Sequence, residues 1–233
     1  MKIYGSGFLA KNLKKINVPN NFFIYAAGVS NSNLRDNREF IREVKLFRKI
    51  FKKIHLKKKF VYISSLSVEN KSLKNDPYVK NKIKIENILK KESKDYLIIR
   101  LPQIVGKNKN KNTLTNSIYN CFLKNKTFKL WKNSKRNLID IDDINYILEK
   151  YFRNFTENKK IINIFNYKSV DVLRLLKVFS NLLNKKINIK VLKKNNRNIN
   201  LRKIPKDTLL PKFYYNNFKK RNYIFNMIAK YYL

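Results

Sequence analysis

The sequence is poor in cysteine, histidine and acidic residues, and it contains no long apolar run. Its one cysteine, Cys121, cannot form a disulfide within the chain, so a reducing, cytoplasmic setting is expected. No apolar stretch reaches the roughly 20 residues of a membrane span, and the N-terminus lacks the apolar region of a signal peptide. Cysteines and histidines at metal-finger spacing are also missing. We therefore expect neither a membrane partner nor a metal site.

The shortage of acidic residues leaves a large positive charge. The 233 residues contain 54 Lys plus Arg and 15 Asp plus Glu, a formal net charge of +39. Such a charge first suggests nucleic-acid binding. However, 43 of the basic residues are lysines, spread along the whole chain, and lysine and asparagine have A/T-rich codons. A nucleic-acid interface usually concentrates its charge and favours arginine. A nucleic-acid partner is therefore the less favoured interpretation, and the field would also attract a small anionic substrate.

Hydrophobic residues make up 43% of the chain, enough for a folded core. Strand-like runs alternate with helical patterns, which predicts an α/β fold with a parallel sheet covered on both faces. The predicted strands are 2–4, 22–27, 60–63, 96–101, 138–141 and 161–165. The clearest helices are 40–54, 78–91, 114–123 and 170–182. Ile41 is expected on the apolar face of the first of these helices, and Asp142 is expected to cap a helix that follows the strand 138–141.

A glycine turn follows the first strand, in the sequence Gly5-Ser6-Gly7-Phe8-Leu9. Glycines let a backbone approach a pyrophosphate, and the N-terminus of the next helix offers free N–H groups. Its position directly after a strand favours a dinucleotide site. The alternative is a tight turn into a packed helix.

A tyrosine and a lysine lie four residues apart at Tyr78 and Lys82, on one face of a predicted helix. An ammonium beside a phenol favours the phenolate, which can exchange a proton with a hydroxyl or carbonyl. Spacing alone is weak evidence, because Tyr146/Lys150 and Tyr215/Lys219 repeat it and chance predicts about as many. Context favours Tyr78, since it begins a helix with Asp76 as cap and Pro77 in first position. The preceding strand ends in Ser64, Ser65 and Ser67, which could equally be turn residues.

In this order the motifs resemble the extended short-chain dehydrogenase/reductase family, in its NAD-dependent epimerase/dehydratase group. The resemblance runs from residue 3 to about 183, through the segments GSGFLA, FIYAAGVS, FVYISSLSV, YVKNKIKIE, IIRLPQIVG, RNLIDIDDI and IINIFNYKSVDVLRLLKVFS. Ordered context confirms a motif better than any single match does.

The resemblance implies a Rossmann-like, doubly wound parallel sheet with a small C-terminal substrate lobe. Residues 1–165 are assigned to the sheet domain, with 106–135 contributing to the lobe, and 166–233 to the lobe and a basic tail. The resemblance further implies an enzyme that uses NAD or NADP on a nucleotide-activated sugar, with a role in polysaccharide synthesis. It assigns catalysis to Ser65, Tyr78 and Lys82. It assigns cofactor binding to Gly5, Ser6, Gly7, Phe8, Leu9, Ala26, Ala27, Gly28, Tyr78 and Lys82. It assigns substrate binding to Ser67, Gln103 and Arg136. Relatives often pair through helices, so a homodimer is also expected.

The chain departs from the family pattern between its first helix, which ends near Ile16, and the strand that begins at Phe22. Relatives have a further strand, helix and strand there, and this segment usually carries the acid for the adenosine ribose. NAD and NADP therefore cannot be distinguished from the sequence. Reductase, epimerase and dehydratase also stay open. In the glycine turn, Tyr4 lies at the first glycine position of the family and Ala10 at its last. This altered turn and the missing segment leave a non-catalytic NAD(P)-binding protein as the main alternative.

Overall fold

The computed structural model describes residues 3–32, 34, 36–54, 57–154, 159–193, 198–210, 214, 216, 218 and 222–233. In chain order their helices and strands are β1 (Ile3–Tyr4), α1 (Phe8–Leu13), β2 (Phe22–Tyr25), α2 (Asn37–Ile54), β3 (Lys59–Ser65), α3 (Pro77–Glu92), β4 (Tyr96–Leu101), β5 (Gln103–Val105), α4 (Leu114–Leu123), β6 (Phe128–Trp131), β7 (Lys135–Arg136), β8 (Leu138–Asp140), α5 (Ile141–Arg153), β9 (Lys159–Asn163), β10 (Val170–Asp171), α6 (Val172–Leu183), β11 (Ile189–Leu192) and α7 (Tyr223–Tyr232). None of the helices in these ranges is long and apolar enough to span a membrane.

The centre of the molecule is a five-stranded parallel sheet in the order β1-β2-β3-β4-β9. Strands β2 and β3 are buried at every residue, as expected for a parallel sheet covered on both faces. The predicted α/β class and Rossmann-like parallel sheet are thus confirmed. The order also places β1 at one edge, with β2 as its neighbour.

Helices cover both faces of this sheet. Side chains of α1 and α5 pack with Ile24, Val61 and Ile99 on one face. Side chains of α2 and α3 pack with Tyr62 and Ile98 on the other. The β1–α1–β2 and β2–α2–β3 connections step across the sheet in the same direction, yet α1 and α2 lie on opposite faces. The two crossovers therefore have opposite hands, so one departs from the right-handed rule.

A second hydrophobic core lies beside the sheet, formed by α4, α6 and α7 with strands β6 and β8. Strand β6 pairs in parallel with β11, although the two are separated by more than 50 residues of chain. The helix α7 was not predicted, because the lysine- and tyrosine-rich tail carries no clear periodicity. The division into two domains at residue 165 stays a prediction.

Two sequence predictions need correction in α2 and α5. Ile41, expected on the apolar face of its helix, is 54% exposed, because the buried stripe runs through Phe40, Val44, Phe47 and Phe51. Asp142, expected to cap α5, lies in its first turn. The cap is Asp140, whose side chain accepts a hydrogen bond from the Asp142 backbone N–H.

Candidate active site

A crevice opens at the carboxyl ends of β1 and β2, because the helices that follow these neighbouring strands leave to opposite faces. Ligands of open α/β sheets bind in this kind of crevice. The turn after β1 approaches the turn after β2 closely: Gly5 has φ of +142°, and a Cβ there would lie 2.6 Å from the Ala26 carbonyl oxygen. Gly7 is exposed and caps α1 without a side-chain hydrogen bond. The predicted glycine turn therefore leaves its backbone open at the crevice.

Lys82 is buried in an ion pair with a residue that the sequence analysis did not single out. Its Nζ lies 2.8 Å from Oε1 of Glu43 on α2, and the two side chains are 3% and 2% exposed. The other oxygen of Glu43 accepts hydrogen bonds from the Asn81 side chain at 2.9 Å and the Val29 backbone N–H at 3.0 Å. Glu43 thus ties α2, α3 and the turn after β2 together.

The ion pair keeps Lys82 charged. Burial by itself would lower the pKa of Lys82, but the carboxylate of Glu43, with Tyr78 and Glu86, raises this pKa above its ordinary value of 10.5. Tyr62 lies beneath the pair, and its hydroxyl is 3.5 Å from Glu43 Oε1. Burial and the same carboxylate raise the pKa of Tyr62 well above its usual value, so this phenol stays protonated.

Gly28 lies directly against the ion pair. A Cβ at Gly28 would lie 2.5 Å from Lys82 Nζ and 2.8 Å from Glu43 Oε1. Such distances are shorter than van der Waals contact, so any larger residue would displace the charged groups. The close approach explains why glycine follows Ala26 and Ala27 at the end of β2.

Tyr78 lies in the first turn of α3, where Asp76 accepts a hydrogen bond from the Tyr78 backbone N–H at 3.0 Å. Lys82 Nζ is 5.3 Å from the Tyr78 ring centroid. The structure therefore brings Tyr78, Lys82 and Gly28 together at one end of the sheet. Tyr78 is half-buried, so part of the residue is accessible from the crevice.

The other two tyrosine–lysine pairs show how little the spacing determines. On α5, Lys150 Nζ lies 5.7 Å from the Tyr146 ring, nearly the distance found for Tyr78 and Lys82. Tyr146, however, is 50% exposed and lies on α5, whereas the Glu43–Lys82 ion pair joins α2 and α3. Tyr215 and Lys219 lie outside the described residues. Burial of the lysine against a carboxylate, rather than spacing, distinguishes the pair on α3.

Ser65 and Ser67 lie where β3 ends. The Ser65 hydroxyl oxygen accepts a hydrogen bond from the Ser67 backbone N–H at 3.2 Å, which begins a short 3-10 turn at Leu66–Glu69. Ser65 is 8% exposed and Ser67 half-buried. This hydrogen bond fits the turn interpretation of the two serines. The Ser65 hydroxyl can in addition donate a hydrogen bond of its own. Its role in catalysis stays a prediction.

Gln103 and Arg136 come together through the backbone of β5 and β8. The Gln103 N–H donates to the carbonyl of Asn137, the residue after Arg136, at 3.3 Å. Arg136 is half-buried on β7, and its guanidinium donates to the Lys135 carbonyl at 2.8 Å. The backbone of Gln103 therefore lies close to the chain that carries Arg136, and the structure gives no direct contact between the two side chains among the described residues.

Glu43 could have been found from the sequence. It lies between Phe40 and Phe47 on the buried stripe of α2, spaced three and four residues from them. A carboxylate among apolar residues needs a buried partner, since an isolated buried charge is too costly. The identity of that partner, 39 residues further along the chain, could not be read from the helix pattern.

No family model and no curated protein matches the chain. Several solved structures match it. RMD from Pseudomonas aeruginosa, complexed with NADPH, matches with a TM-score of 0.71 and 13% identity over 97% of this chain and 95% of that chain. UDP-glucuronic acid 4-epimerase from Bacillus cereus, in complex with NAD, matches with a TM-score of 0.68 and 16% identity over 97% and 76%. dTDP-4-dehydrorhamnose reductase from Bacillus anthracis, in complex with NADP, matches with a TM-score of 0.66 and 15% identity over 91% and 80%. The chain has the fold of these proteins.

Proposed function

We propose that the protein is an NAD(P)-dependent enzyme that acts on a nucleotide-activated sugar, of the epimerase, dehydratase or reductase type. The observation that carries the proposal is the position of Tyr78 and charged Lys82 beside Gly28, in the crevice at the ends of β1 and β2. Proteins of the same fold are described as bound to NAD, NADP or NADPH, and several as bound to UDP-sugars. Their chemistry supports the assignment of the crevice to a nicotinamide cofactor.

The residues of the crevice fit the nicotinamide side of such a cofactor. The backbone of Gly28 lies against Lys82, where a Cβ would displace the ammonium, and the space around Gly7 is open within 4 Å of a Cβ position, so its backbone can be approached closely. Ser6 and Gly7 are exposed, while Phe8 and Leu9 line the start of α1. A nicotinamide held there supplies the hydride chemistry that no side chain provides.

Tyr78 would act as the general acid and base on a sugar hydroxyl or ketone. Lys82 spends one of its three N–H donors on Glu43, so two donors are left for the ribose hydroxyls of the cofactor. Ser65 would donate a hydrogen bond to the same substrate oxygen as Tyr78, which polarises that oxygen.

Arg136 and Gln103 would hold the diphosphate of the substrate. A guanidinium binds phosphate oxygens in a fixed, bidentate geometry, and a side-chain amide adds a further donor. The surrounding excess of lysine would draw a nucleotide-sugar towards this face, and the attraction would weaken with salt.

The test compares Tyr78→Phe with Tyr146→Phe, using nucleotide-sugars with NAD, NADH, NADP and NADPH. We expect loss of at least 100-fold in kcat for Tyr78→Phe with cofactor binding retained, because the phenol oxygen carries the proton. Tyr146→Phe removes the same atom from a pair of the same spacing and should keep full turnover. Full turnover of Tyr78→Phe would refute the proposed role.

A second candidate is a protein that binds NAD(P) without catalysis. It is favoured by one observation, the burial of Lys82 to 3% exposure against Glu43, an ion pair that holds α2 to α3 whether or not a substrate is turned over. In that case nicotinamide fluorescence would report binding in both the wild type and Tyr78→Phe, and no nucleotide-sugar would be turned over.

A further inference from the structure

Within the described part of the chain, the sheet keeps one side of the usual dinucleotide crevice and lacks the other. In the strand order 3-2-1-4-5-6 of such folds, the nicotinamide lies over one half of the sheet, and the adenosine extends over the strands on the other side of the first. Here β2 is the neighbour of β1 on the sheet side, and the order β1-β2-β3-β4-β9 ends at β1. The region that receives adenosine in a complete sheet therefore lies beyond the edge strand.

The connection between α1 and β2 has no room for those strands. It consists of residues 14–21, eight residues between the last residue of α1 and the first of β2. A strand, a helix and a second strand need several times that length. At the edge itself, the ring of Tyr4 stacks on the ring of Tyr25 at 5.7 Å between centroids, which covers one face of the sheet.

The nicotinamide side is built by contrast from buried, mutually supporting groups. Gly28 contacts the Lys82–Glu43 pair, and Glu43 is in turn held by Asn81 and the Val29 N–H. Tyr78 lies over the same ammonium. Each of these groups is positioned by β2, α2 or α3, and none depends on the edge of the sheet.

We propose that this site recognises the nicotinamide ribose phosphate half of its cofactor and that the adenosine half adds little affinity. The inference rests on the proposed function, since it presumes that a nicotinamide cofactor binds in the crevice. It predicts that reduced nicotinamide mononucleotide, NMNH, binds nearly as tightly as NADH.

The test is to measure Kd for NADH, NMNH and AMP on the full chain by calorimetry, with nicotinamide fluorescence as a second readout. NADH and NMNH carry similar negative charge, so the general attraction of a +39 protein affects them alike. We expect Kd values for NADH and NMNH within about threefold of each other, and AMP binding no tighter than that of inorganic phosphate.

The variant Gly28→Ala places a Cβ against Lys82 and should weaken NADH and NMNH by the same factor, at least tenfold. The control Lys129→Ala, at an exposed position of β6, should leave both Kd values unchanged. NADH binding more than 30-fold tighter than NMNH would overturn the inference while leaving the proposed function intact. Binding of neither nicotinamide compound would overturn both.

Discussion

Two carboxylates are buried between the sheet and the layer formed by α2 and α3, and they are paired in different ways. Glu43 is 3% exposed and faces the Lys82 ammonium; Glu86 is 1% exposed and faces the Arg100 guanidinium on β4. Both pairs lie on the same face of the same sheet. They differ in the cation, which is an ammonium for Glu43 and a guanidinium for Glu86.

The Arg100 cluster is closed, in the sense that the donors of its guanidinium are directed at carboxylates of the protein itself. Arg100 donates to both oxygens of Glu86 and also to Glu69, and Ser64 donates to Glu86 Oε1 at 2.7 Å. Asn163 donates to Glu69 at 3.1 Å, which ties in β9. A guanidinium with its donors directed at two carboxylates holds three strands and a helix in register. The Lys82 ammonium keeps donors in reserve beside Gly28, so this pair is suited to a ligand.

Arg100→Met should have the largest effect on stability. It removes the guanidinium from buried Glu86 and half-buried Glu69 and leaves Glu86 its weak ion pair with Lys90, and breaking a buried pair in this way costs about 3–5 kcal/mol. We expect a value at the upper end, about 5 kcal/mol, because two carboxylates lose their partner. Urea unfolding at pH 7 measures the change, and a loss below about 1 kcal/mol would contradict the structural role.

Lys82→Met should cost less stability, about 3 kcal/mol, because Asn81 and Val29 still donate to Glu43. It should also abolish nicotinamide binding. The double variant Glu43→Leu with Lys82→Met removes both charges, so most of the lost stability should return while binding does not. Recovery of binding in the double variant would refute the distinction between the two clusters.

The comparison also shows which parts of the molecule sequence reasoning reaches. Strands β2 to β4 and helix α3 follow from apolar runs and from the Asp76-Pro77 start, because these signals are local. The edge position of β1 follows from the short connection at residues 14–21. The short connection is visible in the sequence, but its effect on the strand order is seen only in the assembled sheet.

The parts that sequence reasoning missed depend on distant partners. Helix α7 docks through Tyr231 and Lys230, which hydrogen-bond the carboxylate of Asp140 about 90 residues earlier. The Glu43–Lys82 pair also joins residues far apart in the sequence. The helix pattern can indicate that Glu43 is buried, but it cannot identify Lys82 as its partner.

The two clusters should respond differently to alkali. The raised pKa of Lys82 means that its protonation stabilises the fold fully below pH 10.5, and that this contribution is lost as pH rises through the pKa of the folded state. The difference in unfolding free energy between wild type and Lys82→Met should therefore stay constant from pH 7 to about 10 and shrink above it. The corresponding difference for Arg100→Met should stay constant throughout, because a guanidinium does not deprotonate there. A Lys82 difference that already falls between pH 7 and 9 would contradict this expectation.

Lys90→Ala should have the smallest effect, although Lys90 also pairs with Glu86. Its Nζ is 3.6 Å from Glu86 Oε2 and its side chain is 34% exposed, so water screens the attraction and the flexible side chain loses entropy on pairing. Arg100 meanwhile satisfies the same carboxylate. We expect a loss of at most about 0.5 kcal/mol in urea unfolding, and a smaller loss in 0.5 M salt than in 0.05 M salt. A loss of about 2 kcal/mol would mean that Glu86 depends on its surface partner, and the Arg100 cluster would then be no more closed than the Lys82 pair.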